Sequence, residues 1–222
     1  MFFDGKLSPD DQGMVAVGGR LGTEIILEAY GKGVFPWMKS PEILWYSPNP
    51  RMLLFPGEFK LSTSLARLTR RHGFRLAMDT AFESVMKACS GAPRPGQKGT
   101  WIDNEFIEAY GELHRLGYGH SLEVWQEDEL VGGLYGLSLG RAFFGESMFH
   151  RARDASKLAL WALTRWALSH GFSFIDCQAY TPHLASLGAK EIPREQFLEL
   201  LRQALEAPTL KGRWDLDLKA PS

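Results

Sequence analysis

The tetrapeptide Ile175-Asp176-Cys177-Gln178 closes an apolar run and carries three groups able to do chemistry. In an extended strand alternate side chains share a face, so Asp176 and Gln178 are expected to point together and Ile175 and Cys177 the other way. A carboxylate and an amide at a strand end can hold a ligand. The same pair also serves as a satisfied structural bond or as a cap for the next segment. Cys177 is followed by His183, a spacing at which a thiol and its base could meet. The neighbouring Asp176 disfavours the thiolate, and the alternation turns Cys177 from the polar face, so it reads as a core cysteine. Phe143-Phe144-Gly145-Glu146-Ser147-Met148-Phe149 sets one acid inside an apolar run, where a carboxylate is costly unless paired. That favours Glu146 as a hydrogen-bonding group within a binding pocket, against an exposed strand position.

Other chemistries find less support. The six histidines show no HExxH spacing and no neighbouring pair of cysteines, so no metal site is expected. Gly132-Gly133-Leu134-Tyr135-Gly136 is not a GxGxxG opening a helix; it reads as a strand pressed against another backbone or a ligand. Lys60, Arg67, Arg70, Arg71 and Arg75 cluster with no acid among residues 60–75. By charge alone they form a solvated helix face or a phosphate-binding patch.

The elements that must position these groups belong to an ordinary globular chain. It has 222 residues, net charge −1, 45% hydrophobic and 23% charged residues, which excludes overall disorder. The two cysteines exclude a disulfide scaffold and a four-cysteine zinc site. No stretch approaches the ~20 apolar residues of a membrane helix. The opening Met1-Phe2-Phe3-Asp4-Gly5-Lys6 does not read as a signal peptide, so a cytoplasmic location is expected. Helices are predicted at Thr23–Tyr30, Ser62–His72, Thr80–Cys89 (opened by a Thr80/Glu83 capping box), around Phe106–Leu113, and at Ala155–His170 and Pro193–Leu205. Strands are predicted at Ile43–Tyr46, Met52–Phe55, Phe74–Met78, Ser121–Gln126, Leu130–Leu139, Arg141–Phe149 and Phe172–Gln178. Gly33–Trp37 reads as a turn and Gly91–Gly99 as a loop. The expected fold class is α+β with an α/β-like order. It is similar in plan to acyltransferases of the GNAT type, with a small N-terminal domain over residues 1–50 and a catalytic domain over 51–222.

Several segments, in order, resemble the bacterial leucyl/phenylalanyl-tRNA–protein transferases from about Gly18 to Phe197. They include Tyr30-Gly31-Lys32-Gly33-Val34-Phe35-Pro36-Trp37, Leu44-Trp45-Tyr46-Ser47-Pro48-Asn49-Pro50-Arg51, Gly99-Thr100-Trp101-Ile102, Gly145-Glu146-Ser147-Met148-Phe149 and Ile175-Asp176-Cys177-Gln178. The resemblance implies transfer of Leu or Phe from Leu-tRNA or Phe-tRNA to proteins beginning with Arg or Lys, marking them for proteolysis. It assigns catalysis to Asp176 and Gln178. We expect Asp176 to orient the attacking amine directly or through Gln178; proton removal by Asp176 is the alternative, although an ordinary aspartate is a poor base at neutral pH. It implies an aminoacyl pocket of Leu134, Glu146, Leu163 and Ile175, with Phe143 and Met148 as neighbours. Trp37 and Trp101 would hold the terminal adenosine, with Tyr30 and Tyr110 as further candidates. Arg67, Arg70 and Arg71 would face the acceptor-stem backbone. Glu123, Asp128 and Glu146 are candidates for the acceptor's N-terminal cation. An aminoacyl ester is already activated, so no cofactor or metal is expected, and no membrane partner. The chain departs from the family pattern at Tyr46, Lys60 and Thr63, all on the expected tRNA side. The rival readings are a FemX-like or coenzyme A-dependent acyltransferase and a non-catalytic RNA-binding module. Against coenzyme A, Arg151–Ser156 contains no glycine on which a pyrophosphate could rest before the long helix.

Overall fold

The computed structural model describes residues 3, 8–39, 42–69, 73–92 and 100–216. Two sheets carry the chain. The smaller is formed by β1 (Met14–Val17), β2 (Phe35–Lys39) and β3 (Ile43–Tyr46), with α1 (Thr23–Gly31) between the first two strands. The larger begins with β4 (Arg51–Leu54), so the change of sheet falls near residue 50. After α2 (Thr63–Leu68) come β5 (Arg75–Met78), α3 (Phe82–Ser90), α4 (Asn104–Arg115) and three long strands: β6 (Gly119–Gln126), β7 (Glu129–Leu139) and β8 (Ala142–His150). Then follow α5 (Ala155–Ser169), β9 (Phe174–Gln178), α6 (Pro182–Ser186), β10 (Lys190–Ile192) and α7 (Arg194–Ala204). The large sheet runs β10-β4-β9-β8-β7-β6-β5; β8 and β9 are parallel, and its other pairs are antiparallel.

Neighbouring residues of the central strands sort to opposite faces, as the two-residue period requires. Leu53, Tyr135, Phe144 and Phe174 face a core shared with α1, α3, α4 and α7. Leu54, Leu134, Phe143 and Ile175 face the core under α5. Because both faces are covered, β7 is buried along nearly its whole length, which is why it reads as a continuous apolar run. Its glycines allow close approach. A Cβ at Gly132 would lie 2.5 Å from the Ala155 Cβ, and one at Gly136 would lie 2.1 Å from the Phe144 carbonyl oxygen and 2.6 Å from the Phe143 ring.

Two local expectations give way. Phe35–Lys39 is a strand and not a turn; it is an edge strand, where Pro36 costs little, with a bulge between Pro36 and Met38. No capping box opens α3: its N-cap is Ala81, with no side-chain cap. Glu123, from across the sheet, accepts the Thr80 hydroxyl at 2.8 Å and the Thr80 and Ala81 N–H groups at 3.4 Å, while Glu83 pairs with Lys87. The basic helix is seen at Thr63–Leu68, capped by the Ser62 hydroxyl. Arg70, Arg71 and the expected loop at residues 93–99 lie outside the described residues. Among the described residues no helix is long and apolar enough to cross a membrane.

Candidate functional site

β8 and β9 pair only over Ala142–Phe144 and Phe174–Asp176, then part. A cavity of about 380 Å³ opens there, lined by Gly145, Glu146, Ser147 and Met148 from β8 and by Cys177 and Gln178 beyond the paired part of β9. A cleft of this size suits one small side chain and its immediate attachments. Its apolar wall is made by Leu134, Phe143, Leu160, Leu163, Ile175 and Met148. All six residues expected to form the aminoacyl pocket therefore line one cavity, and Trp37 and Trp101 line it too. Trp37 sits edge-on to Tyr46, with ring centroids 5.3 Å apart, and Trp101 edge-on to Phe106, also at 5.3 Å.

The polar end is built from several layers. Gln178 has φ of +64°, a conformation uncommon for a residue with a side chain. Asp176 supports it by accepting the Gln178 backbone N–H at 2.8 Å. Asp176 is fully buried and forms a two-pronged ion pair with Arg51: Nε to Oδ1 at 2.9 Å and Nη2 to Oδ2 at 2.6 Å. Arg51, also fully buried, lies 4.7 Å from the Phe35 ring centroid and 4.5 Å from that of Phe197, and donates to the Gly33 carbonyl. The small sheet, α7 and β9 thus meet at one guanidinium, whose flat charged face suits aromatic rings.

From this anchor the Gln178 side chain spans the gap between the strands, with Nε2 donating to Glu146 Oε1 at 2.8 Å. The other partners of Glu146 are Tyr30, donating to Oε1 at 2.6 Å, and Tyr110, donating to Oε2 at 3.3 Å; the two phenol oxygens are 2.8 Å apart. Burial, with the charge of Glu146 next for both residues, holds both phenols well above their ordinary range, so they remain donors. Burial pushes the Glu146 carboxyl up to about 8, with Asp176 adding to the rise, against the three donors that favour its charge. Once ionised, Glu146 can only accept; Gln178 then presents its NH₂ to it and leaves its amide oxygen for the cavity.

A pH test follows. The Glu146 value is raised on folding, so its stabilising contribution is fully present below the ordinary glutamate range and is lost as pH rises through about 8. Between about pH 5 and that value, the melting temperature should fall more steeply for the native chain than for Glu146→Gln. Parallel slopes would contradict the enclosed carboxyl.

Two sequence expectations need correction, and a third, on Cys177, holds. Gln178 lines the cavity but Asp176 does not: Asp176 is fully buried and paired with Arg51, and the positive φ at Gln178 departs from the regular strand backbone that the alternation assumes. With its carboxylate fully buried and outside the cavity lining, Asp176 is placed to act through Gln178 more readily than by direct contact with an amine. Cys177 packs against the core under α5 as expected while also lining the cavity, and burial and then Asp176 push its thiol upward, away from the thiolate. Tyr30 and Tyr110, expected beside an adenosine, do not line the cavity. Both are fully buried behind Glu146 with their hydroxyls engaged. Arg67 is exposed on α2 and does not line the cavity. Of the three candidate acids, Glu123 is buried at the start of α3, Asp128 is exposed, and Glu146 alone lines the cavity. Sequence reasoning missed Arg51, although a lone charge opening Met52-Leu53-Leu54-Phe55 was a signal that a buried partner must exist. Among the described residues no cluster of three His, Cys, Asp or Glu side chains stands ready for a metal ion.

One cleft thus joins an apolar wall, a fixed amide and carboxylate at its polar end, and two indoles. Comparison with known proteins narrows this. The family model for leucyl/phenylalanyl-tRNA protein transferase matches residues 53–202, and the model for the N-terminal domain of the same family matches residues 19–49. The leucyl/phenylalanyl-tRNA–protein transferase of Desulfatibacillum aliphaticivorans is 52% identical over 217 residues, covering 97% of this chain and 93% of its own. Those of Legionella pneumophila (strain Corby) and Thermodesulfovibrio yellowstonii are 52% identical over 209 residues and 48% over 213, covering 94% and 96% of this chain and 93% and 87% of their own. The chain belongs to the leucyl/phenylalanyl-tRNA protein transferase family. Among solved structures, a GCN5-related N-acetyltransferase from Kribbella flavida aligns at TM-score 0.39 and 13% identity over 72% of this chain and 56% of its own. L-PGS from Bacillus licheniformis aligns at TM-score 0.40 and 12% identity over 73% and 54%. The chain spans just over half the length of each.

Proposed function

We propose that this chain transfers leucine or phenylalanine from its aminoacyl-tRNA to the N-terminal Arg or Lys of an acceptor protein, with Gln178 as the group that meets the attacking amine. The observation that carries the reading is the joining, in one cavity, of an apolar pocket, the Gln178 amide and two tryptophans. The aminoacyl side chain enters between Leu134, Phe143, Leu163 and Ile175. Trp37 and Trp101 stack on the terminal adenine, an interaction worth ~1–3 kcal/mol per base. Glu146 accepts the positive α-amine of the bound aminoacyl group, which draws its proton equilibrium back toward the charged form.

The chemistry asks little more than alignment. The acceptor amine, once neutral, attacks the ester carbonyl; a C–N bond forms and the bond to the ribose oxygen breaks. A proton passes from the amine nitrogen to that oxygen. The Gln178 amide oxygen accepts an N–H of the amine and aims its lone pair, while Arg51 and Asp176 hold the Gln178 backbone. Asp176 is a positioning residue here. Arg67, Arg70 and Arg71 contact the acceptor-stem phosphates, contacts that orient without reading sequence. The location is cytoplasmic, where charged tRNA is found, and the product's new N-terminal residue directs it to proteolysis.

The test is label transfer from radiolabelled Phe-tRNA or Leu-tRNA to a peptide starting with Arg. Label in the peptide is expected. Tight RNA binding without label would favour a binding module, and label only from an acyl-coenzyme A would favour an acetyltransferase. In the same assay Leu134→Ala, which enlarges the wall, should raise use of a Trp donor relative to Leu by roughly tenfold, since one or two methylenes are worth ~1–3 kcal/mol. Unchanged donor ratios would remove Leu134 from the pocket.

A further inference from the structure

The described residues after α7, 205–216, form no regular element and lie beyond residue 202, where the family match ends. Yet it is tightly held. Trp214 is 4% exposed, and its indole lies flat on His120, at 3.5 Å and 8°, and on Trp166, at 4.0 Å and 23°. Its backbone N–H donates to Asp79 Oδ2 at 2.8 Å, and its indole N–H to the Leu210 carbonyl at 3.0 Å. Asp79 is itself buried at φ of +53°, and it also takes the Ser121 N–H and the His120 Nδ1, both at 2.8 Å. Trp166 returns a bond from its indole N–H to the Asp215 carbonyl at 3.1 Å. Upstream, Thr209 accepts the Gly140 N–H at 2.8 Å. A buried acid in a left-handed conformation is a costly device for tying down a chain end alone.

What this anchor touches gives it a use. The Trp214 ring packs on Phe143, with centroids 6.0 Å apart at 44°, and on Phe172, at 5.6 Å and 79°. Phe143 is the aromatic side chain of the pocket's apolar wall, and its ring also lies against Gly136. We infer that the C-terminal strap is a specificity element of the aminoacyl pocket, with Trp214 a positioning residue that holds Phe143 in place and so sets the room left for the donor side chain. This rests on the function proposed above. The ring of Phe143 has no polar anchor of its own; its place is set by what packs on it, and packed interiors transmit the loss of a neighbour as a shift or a cavity. Deleting the indole opens space behind Phe143, and a bulkier donor can then push the ring back.

The experiment compares the native chain with Trp214→Ala, Trp214→Leu and Trp214→Phe. It measures kcat/KM for Leu-, Phe- and Trp-tRNA donors, KM for an Arg-initiated peptide, and the melting temperature. The inference predicts that Trp214→Ala and Trp214→Leu shift the Trp-to-Leu donor ratio by roughly tenfold toward the larger donor, with the peptide KM unchanged. Trp214→Phe, which keeps a flat ring in the stack, should restore most of the native ratio. A lowered melting temperature with native donor ratios in the folded variants would make the strap purely structural and overturn the inference. If Trp214→Ala does not fold, Trp214→Leu decides on the same ratio. A native chain that transfers neither Leu nor Phe would overturn the functional reading itself, a result distinct from unchanged selectivity in an active variant.

Discussion

Gln178→Ala should abolish most of the transfer rate while leaving the aminoacyl-tRNA bound. The expected loss in single-turnover rate is about a hundred- to a thousandfold, the scale set by removing one fixed hydrogen-bonding group from a reacting centre. Three observations place this large effect on Gln178. It is the polar side chain that crosses the gap between β8 and β9; its strained backbone is held by Asp176; and its amide is oriented by Glu146. Binding should change little, because the apolar wall and both indoles belong to other residues. The measurement is a single-turnover time course at saturating peptide, with the tRNA dissociation constant measured separately. A variant that loses binding and keeps its rate would move the chemistry elsewhere in the cleft.

The second large effect is on folding. Arg51→Met leaves the Asp176 carboxylate buried without its partner, a situation that costs about 3–5 kcal/mol. Both side chains are fully buried, so solvent cannot step in to compensate. The guanidinium also fills the space between Phe35 and Phe197, and methionine replaces only part of that packing. The double variant Arg51→Met with Asp176→Leu should recover much of the stability, since apolar replacements of a whole buried pair are often neutral or better. It should not recover transfer, because the Gln178 N–H then has no acceptor. Urea unfolding and the single-turnover assay, run on the same three proteins, separate the two roles. Equal stability of the single variant and the native chain would contradict the buried pair. Full transfer by the double variant would remove Asp176 from the positioning of Gln178.

The parts of this molecule that follow simple periods were legible in the sequence. The helix at Ala155–Ser169 and the strands β6 to β8 fall within two residues of their expected bounds, because hydrophobic period and glycine breaks agree there. The six pocket residues lie on one cavity because strand alternation sorts Leu134, Phe143 and Ile175 to the same face. What failed was read from local rules that a distant partner can override. The buried Arg51 took Asp176 out of the cavity, a partner 125 residues away that no pattern local to Asp176 announces. A local Thr80/Glu83 cap lost to Glu123, which lies far away in sequence and reaches α3 only through the sheet. Tyr30 and Tyr110 were grouped with the adenosine, yet their neighbours are Glu146 and each other, a contact between α1, α4 and β8 that no local pattern encodes. Two more elements, β1 and the short β10, pair with strands distant in sequence and carry too few residues to show a period.

The proposed transfer depends on one placement, that of the aminoacylated adenosine in the cleft between β8 and β9. The direct measurement is a crystal structure with a hydrolysis-resistant analogue in which phenylalanine is joined to the 3′-carbon of adenosine through an amide. The phenyl ring is expected among Leu134, Phe143 and Leu163, the adenine against Trp37 and Trp101, and the amide carbonyl carbon within reach of the Gln178 side chain. An analogue that binds with its ring outside that wall, or with Gln178 remote from the carbonyl, would contradict that placement.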